Sequence, residues 1–109
     1  MRLVLALAIC PGLAMAQGWE RLDDDAIRTA LGDRVLVYDA YTQQYFGKAG
    51  DTRYITDRAA DGRWDVRGGQ YCSQWPPSDT WACYDVERDG NRVRFIGSDR
   101  SVSEGVFAE

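Results

Sequence analysis

Histidine is absent from this sequence of 109 residues, and with it the side chain that most often acts as a general base or binds a transition metal. The three cysteines are too few to complete a four-ligand zinc site on their own. No serine stands in a G-x-S-x-G motif, and no G-x-G-x-x-G or G-x-x-x-x-G-K loop occurs. A carboxylate pair could in principle serve glycoside hydrolysis, but so small a domain leaves little room for a sugar cleft. We therefore expect a protein that is not an enzyme and that holds no metal or cofactor.

Long apolar runs are also missing. The longest, from Leu3 to Ile9, is shorter than the roughly 20 residues that a membrane-spanning helix needs. Arg2 precedes it and Ala14-Met15-Ala16 follows it as a small-x-small cleavage site, in the order typical of a secretory signal peptide. We expect residues 1–16 to be a cleaved bacterial signal peptide and residues 17–109 to form a single domain. That domain would be periplasmic or secreted, and not embedded in a membrane.

Cys10 raises the alternative of a lipoprotein signal. Cleavage before Cys10 would require a small residue where Ile9 stands. We therefore expect Cys10 to leave with the signal peptide, which leaves Cys72 and Cys83 in the domain. An even number of cysteines in a small exported domain predicts a disulfide.

An excess of basic residues is the next absence. The chain has 13 basic residues, one of them Arg2 in the signal peptide, against 17 acidic residues. An acidic domain is a poor candidate for binding nucleic acid or an anionic membrane. Its charge suits a basic protein partner better, although solubility is a more common reason for such a surface.

The pattern of apolar residues predicts one helix followed by strands. An apolar stripe at helical spacing, with Asp23 as the N-cap and Gly32 as the stop, predicts a helix over about Asp24–Leu31. Beyond Asp33 the period changes to two, which is typical of strands. The predicted strands are 34–38, 41–46, 52–56, 62–67, 70–75, 80–87, 91–96 and 101–107, with a polar loop over 57–62. We expect a mainly β fold, in which one short N-terminal helix precedes a six- to eight-stranded antiparallel meander that forms a bent sheet or a small barrel.

The disulfide fits this arrangement. The strands that carry Cys72 and Cys83 are joined by the loop Pro76-Pro77-Ser78-Asp79, since proline is excluded from a central strand. Opposed residues of adjacent antiparallel strands lie at a distance that a disulfide can bridge. Tight turns are predicted at Gly68-Gly69 and Asp89-Gly90.

A sequence pattern runs through most of the domain. It reads G-x-W-x-V-x-G-(x)n-C-x-x-W, then C-Y-x-V-x-x-D-G-(x)n-V-x-F, after a short capped helix. It is carried by Gly62, Trp64, Val66, Gly68, Cys72, Trp75, Cys83, Tyr84, Val86, Asp89, Gly90, Val93 and Phe95. The pattern resembles a group of small exported proteobacterial proteins of unknown function. The resemblance implies the fold and the exported location, and no activity comes with it.

Aromatic residues supply the candidate binding sites. Trp64 alternates with Val66 and is expected in the core. Trp75 begins an irregular loop, and loops at strand ends often carry recognition sites, so Trp75, Pro76, Pro77, Ser78 and Asp79 form a candidate binding loop. Tyr41 and Tyr45 are a candidate aromatic surface at a barrel mouth.

Three functions are compatible with these features. The first is an exported, non-enzymatic binding domain for a small apolar molecule or a cell-envelope component. The second is a protein inhibitor of a cationic hydrolase, by architectural analogy with the small β-rich lysozyme inhibitors. The third is a purely structural envelope protein. A wide interior would favour the first function, and a packed interior with an exposed rigid loop would favour the second.

Overall fold

The computed structural model describes residues 18–109, so the predicted signal peptide and Cys10 lie outside the described residues. Its elements, in chain order, are β1 (Glu20–Arg21), α1 (Asp24–Leu31), β2 (Arg34–Asp39), β3 (Thr42–Phe46), β4 (Asp51–Ile55), β5 (Ala59–Arg67), β6 (Gln70–Gln74), β7 (Trp81–Asp89), β8 (Arg92–Ile96) and β9 (Val102–Phe107). The helix within this part of the chain is too short and too polar to cross a membrane.

Helix α1 has the predicted bounds. The Asp23 carboxylate accepts a hydrogen bond from the backbone N–H of Ala26 at 2.9 Å, which satisfies one of the free donors of the first turn. Ile27 and Leu31 lie on the apolar stripe and are fully buried. The left-handed conformation after the helix falls on Asp33, with a φ of 60°, and not on Gly32.

Strands β2 to β9 form a closed antiparallel barrel of eight strands, in which each strand pairs with the next along the chain. The barrel closes where β9 returns to β2, with Leu36 opposite Phe107 and Val37 opposite Val106. β1 adds a short extra pairing to β7. The predicted antiparallel meander is confirmed, and closure of the sheet selects the barrel over the bent sheet. A closed barrel has no free edge for another chain to pair with.

Strand β5 is longer than its sequence suggests. A polar loop was predicted to reach Gly62, but Ala59 to Asp61 already pair with Ile55 to Arg53 of β4. Alanine, aspartate and glycine have low strand propensity, so the prediction was wrong for these residues. Pairing with a neighbouring strand outweighs their local preference.

The predicted disulfide is confirmed. Cys72 of β6 stands directly opposite Cys83 of β7, with 4.0 Å between the Cα atoms. The Cys72 side chain is fully buried. The bond closes a short loop across one hairpin, for which chain entropy predicts a contribution of about 2–3 kcal/mol.

Helix α1 fills one end of the barrel, which we call the closed end. Arg28 donates to the backbone carbonyl of Val66, and the Asp24 carboxylate accepts from the backbone N–H of Gly69. The first contact is near the end of β5, and the second is in the turn between β5 and β6. The connections β2–β3, β4–β5, β6–β7 and β8–β9 lie at the opposite end, which we call the open end.

Trp64 lies in the core, as predicted, and is 6% exposed. Its ring meets the edge of Phe46 at a centroid distance of 5.8 Å. Its indole N–H donates to the carbonyl of Gly47 at 2.8 Å, which sequence patterning did not indicate. The side chain therefore joins β5 to the turn after β3.

We predict that Trp64→Ala lowers the free energy of unfolding by about 3–5 kcal/mol, because it leaves a cavity and removes the hydrogen bond to the Gly47 carbonyl. Trp64→Phe keeps a ring and should cost less. Tyr41→Ala is a matched control, since Tyr41 is 84% exposed and its loss should cost under about 0.5 kcal/mol. Denaturant titration measures all three. Similar losses for Trp64→Ala and Tyr41→Ala would contradict the core position of Trp64.

Candidate functional site

The open end of the barrel encloses a cavity of about 600 Å³, which we call the cup. Its wall is largely aromatic and contains Tyr38, Tyr54, Tyr71, Trp75, Tyr84 and Phe95. The cup exists because several inward positions at this end are small. Ala60, Ser73 and Ser103 line it and leave space that larger side chains would fill.

The aromatic rings of the wall support one another. Tyr54 lies between Tyr38 and Trp75, at centroid distances of 6.0 and 6.1 Å. Deeper in the barrel, Tyr71 contacts Phe95 at 5.1 Å and Tyr84 at 6.1 Å. These separations are those of favourable tilted and edge-to-face pairs. The wall is therefore held in place by its own ring contacts.

A buried amide forms the floor of the cup. Gln44 is 5% exposed, and its Nε2 donates to Thr52 Oγ1 at 2.9 Å and to the Tyr71 hydroxyl at 3.1 Å. Its Oε1 accepts a hydrogen bond of 2.7 Å from the Tyr38 hydroxyl. Thr52 in turn donates to the Tyr45 carbonyl at 2.7 Å. Every polar atom of the Gln44 side chain thus has a partner, which fixes the orientation of the amide.

Two phenols of the cup stay neutral over a wide pH range. Burial raises the pKa of Tyr71 to about 12, in spite of hydrogen bonds with Ser73 and Gln44 that lower it. Burial, together with the nearby phenols of the cup, also raises the pKa of Tyr38. Because the Tyr71 oxygen accepts from Gln44, its own proton can be donated within the cup. The floor therefore offers a neutral hydrogen-bond donor.

Trp75 folds back into the cup instead of pointing away from the barrel. Its indole N–H donates to Ser73 Oγ at 3.1 Å. The ring lies against the backbone of β5 at Gly62, where an added Cβ would come within 2.6 Å of Trp75 Cε3. Glycine inside a strand often marks such a close approach. Gly62 was predicted as the end of the polar loop and the start of a strand, so its close contact with the Trp75 ring was missed.

The rest of the candidate binding loop lies outside the cup. Pro76 to Asp79 are exposed at the open end, and the Pro76-Pro77 peptide bond is cis. The backbone N–H of Ser78 donates to the Trp75 carbonyl at 3.0 Å, and Gln74 Nε2 donates to the Asp79 carbonyl at 3.0 Å. The loop is thus ordered by its own hydrogen bonds, with Trp75 in the cup and four residues on the rim.

Tyr41 and Tyr45 do not line the cup. Tyr41 lies in the exposed β2–β3 turn. Tyr45 points to the outer face of β3, because the alternate residues Gln44 and Phe46 point inward, and its hydroxyl donates to Asp33 Oδ1 at 3.3 Å. Strand alternation accounts for the position of Tyr45.

No three His, Cys, Asp or Glu side chains of residues 18–109 are close enough together to hold a metal ion. The polar groups of the cup itself are neutral apart from Asp39 and Glu104 at its edge. Glu104 pairs with Arg92 at 3.0 Å. The cup can therefore contribute aromatic contact and neutral hydrogen bonds.

We predict that the protein loses stability in alkali through its buried phenols. In the unfolded chain a tyrosine ionises near pH 10, whereas folded Tyr71 keeps its proton to a pH of about 12. The contribution of Tyr71 to the free energy of unfolding should be constant below pH 10 and should fall by about 3 kcal/mol between pH 10 and pH 12. Denaturant titrations across this range measure it. Tyr71→Phe should make the fall shallower, and an equally steep fall in that variant would contradict the assignment.

Comparison with known proteins does not assign a function to the cup. The chain matches no known protein family, no curated protein and no solved structure. The function must therefore be inferred from the cup and from the surface of the barrel.

Proposed function

We propose that this protein is an exported, non-enzymatic binding protein that holds a small, largely apolar organic molecule in the cup. The observation that carries the proposal is the cavity of about 600 Å³ with an aromatic wall and a buried amide floor. Small-molecule sites are typically concave, largely apolar and about 300–1,000 Å³ in volume. The cup has these properties.

The lining indicates the chemistry of the ligand. The ring faces of Tyr54, Trp75 and Phe95 offer contact to a flat or cyclic apolar body. Tyr71 at the floor can donate one hydrogen bond to a hydroxyl or carbonyl oxygen of the ligand. None of the described residues that line the cup is a lysine or arginine, so a buried carboxylate or phosphate head would lack a counter-charge.

Export is part of the proposal. It is supported by the order of charge, apolar core and cleavage site in residues 1–16. The disulfide between Cys72 and Cys83 gives independent support, since such bonds persist mainly in oxidising compartments outside the cytosol.

Two neighbouring alanines of β5 allow a matched test of the cup. Ala60 lines the cavity, and Ala59, the residue before it, points to the opposite face of the sheet. We predict that N-phenyl-1-naphthylamine, a neutral apolar fluorophore, binds the native protein with enhanced fluorescence. Ala60→Trp should weaken this binding by about tenfold or more by filling the cup, which corresponds to about 1.4 kcal/mol.

Ala59→Trp adds the same side chain outside the barrel and should leave the affinity within about twofold. Thermal melting checks that both variants fold. No binding to the native protein, or equal weakening by both variants, would overturn the proposal. If only Ala60→Trp weakens binding, native mass spectrometry of protein purified from its own cells would identify the natural ligand.

A second candidate function uses the rim of the cup. An aspartate stands at each of the four connections of the open end. These residues are Asp39, Asp57, Asp79, which belongs to the exposed Pro76–Asp79 loop, and Asp99. A backbone N–H from Tyr41 is the main cause of the lowered pKa of Asp39, so this carboxylate stays charged in mild acid. Arg58 and Arg100 lie beside two of the four acids. The rim is therefore only moderately acidic, which makes docking of a basic protein such as lysozyme the second choice.

We predict for this second function that the native protein inhibits lysozyme in a cell-wall lysis assay. Asp39→Lys combined with Asp79→Lys should abolish the inhibition. Asp25→Lys combined with Glu109→Lys makes the same change in net charge away from the rim and should preserve it. Absence of inhibition by the native protein at micromolar concentration would rule this function out.

A further inference from the structure

A second concave site lies on the outer surface of the barrel, away from the cup. It is a groove of about 350 Å³ between helix α1, the β3–β4 turn and the outer face of β5. Among the residues that line it are four basic residues, one carboxylate and the indole of Trp81. They are Arg28, Lys48, Arg63, Arg67, Asp65 and Trp81. We call it the basic groove.

The basic residues are brought together by the fold. Arg63, Asp65 and Arg67 alternate along β5 and so share its outer face. Arg28 reaches the same place from α1, and Lys48 from the β3–β4 turn. In a chain where acidic residues outnumber basic ones, 17 to 13, a concave site with four cations and one anion is a local reversal of charge.

Asp65 holds two of the arginines in position. Its Oδ1 lies 3.3 Å from Arg28 Nη2, and its Oδ2 lies 3.1 Å from Arg67 Nε. The backbone N–H of Val66 also donates to Asp65 at 2.8 Å, and this is the main cause of the lowered pKa of the Asp65 carboxyl. The two guanidinium groups are thus drawn to opposite oxygens of one carboxylate.

The arginines keep unused hydrogen-bond donors. A guanidinium has five N–H donors, and these pairs engage Arg28 through Nη2 and Arg67 through Nε. Arg63 forms no ion pair within residues 18–109. Lys48 lies 3.8 Å from Asp33, a loose contact that an incoming anion can compete with. The groove therefore has positive charge and free N–H groups to offer.

Trp81 adds a flat apolar surface beside these charges. The Arg67 guanidinium stacks over its ring at 4.3 Å from the centroid, which restrains both side chains. The volume of the groove exceeds that of one tetrahedral anion. A ligand could therefore place an anionic group among the arginines and a small organic body against the rest of the groove.

We propose that the basic groove binds a phosphate or sulfate monoester of a small molecule. Arginine forks match the oxygens of such groups and form charge-assisted hydrogen bonds with them. In this arrangement Arg28, Arg63 and Arg67 contact the anion, and Asp65 acts as a positioning residue. The proposal is independent of any ligand in the cup, which lies inside the barrel.

The test uses the native protein at low ionic strength, titrated with glucose 1-phosphate, inorganic phosphate, inorganic sulfate and glucose. Backbone and tryptophan indole NMR signals report the site of binding. We expect saturable shifts at residues 28, 63–67 and Trp81 with the three anions, and none with glucose. Tighter binding of glucose 1-phosphate than of inorganic phosphate would show that the organic body makes contact.

Arg63→Glu should weaken binding of glucose 1-phosphate by about tenfold or more, because it reverses a charge that has no partner to lose. Arg58→Glu, at the open end of the barrel, changes the net charge equally and should alter the affinity less than about twofold. Equal effects of the two variants would show that the protein attracts anions only through its overall charge. Either that result or absence of saturable shifts in the groove would overturn the proposal.

Discussion

A layer of aromatic rings across the middle of the barrel separates its packed half from its open half, and both halves depend on it. Phe46 is fully buried at the centre of this layer, and its ring contacts Trp64, Tyr71 and Phe95 at centroid distances of 5.7–6.3 Å. Towards the closed end, the layer packs against the buried side chains of α1. Towards the open end, it carries the floor of the cup, since the Tyr71 hydroxyl binds Gln44. Without these rings, the apolar core beneath would be open to solvent through the cup.

The empty half of the barrel is encoded by small residues at inward positions. An eight-stranded barrel has an interior that side chains can just fill, or that holds one small ligand. At the closed end the inward positions are large and the interior is full. At the open end, Gly62 and Gly105 have no side chain, and an aromatic ring from a nearby segment packs against each of them. Trp75 lies over Gly62, and Tyr38 lies 3.2 Å from the Cβ position of Gly105. These rings line the wall and leave the centre empty.

Local features of the sequence were sufficient to predict much of this fold. The helix was predictable because its cap and apolar stripe lie within a few residues, and the disulfide because a hairpin places Cys72 opposite Cys83. Closure of the barrel was not predictable from local features, since it depends on pairing between β2 and β9, which are far apart in the sequence. The start of β5 was also missed, because its pairing with β4 overrides weak local propensity. Of the candidate site residues, Trp75 lines the cup, but the position of its ring depends on Gly62, which is far from it in sequence.

Strand β5 couples the two sites, because its alternate residues serve opposite faces. Its inward row builds the cup and the core through Ala60, Gly62 and Trp64, and its outward row lines the basic groove through Arg63 and Arg67. A slip of one residue in register would exchange the rows and bury unpaired guanidinium groups inside the barrel, at a large cost in free energy. The Trp64 backbone N–H to the Gly50 carbonyl, at 2.9 Å, and its indole N–H to the Gly47 carbonyl resist such a slip. A core tryptophan thus holds the register on which both the cup and the basic groove depend.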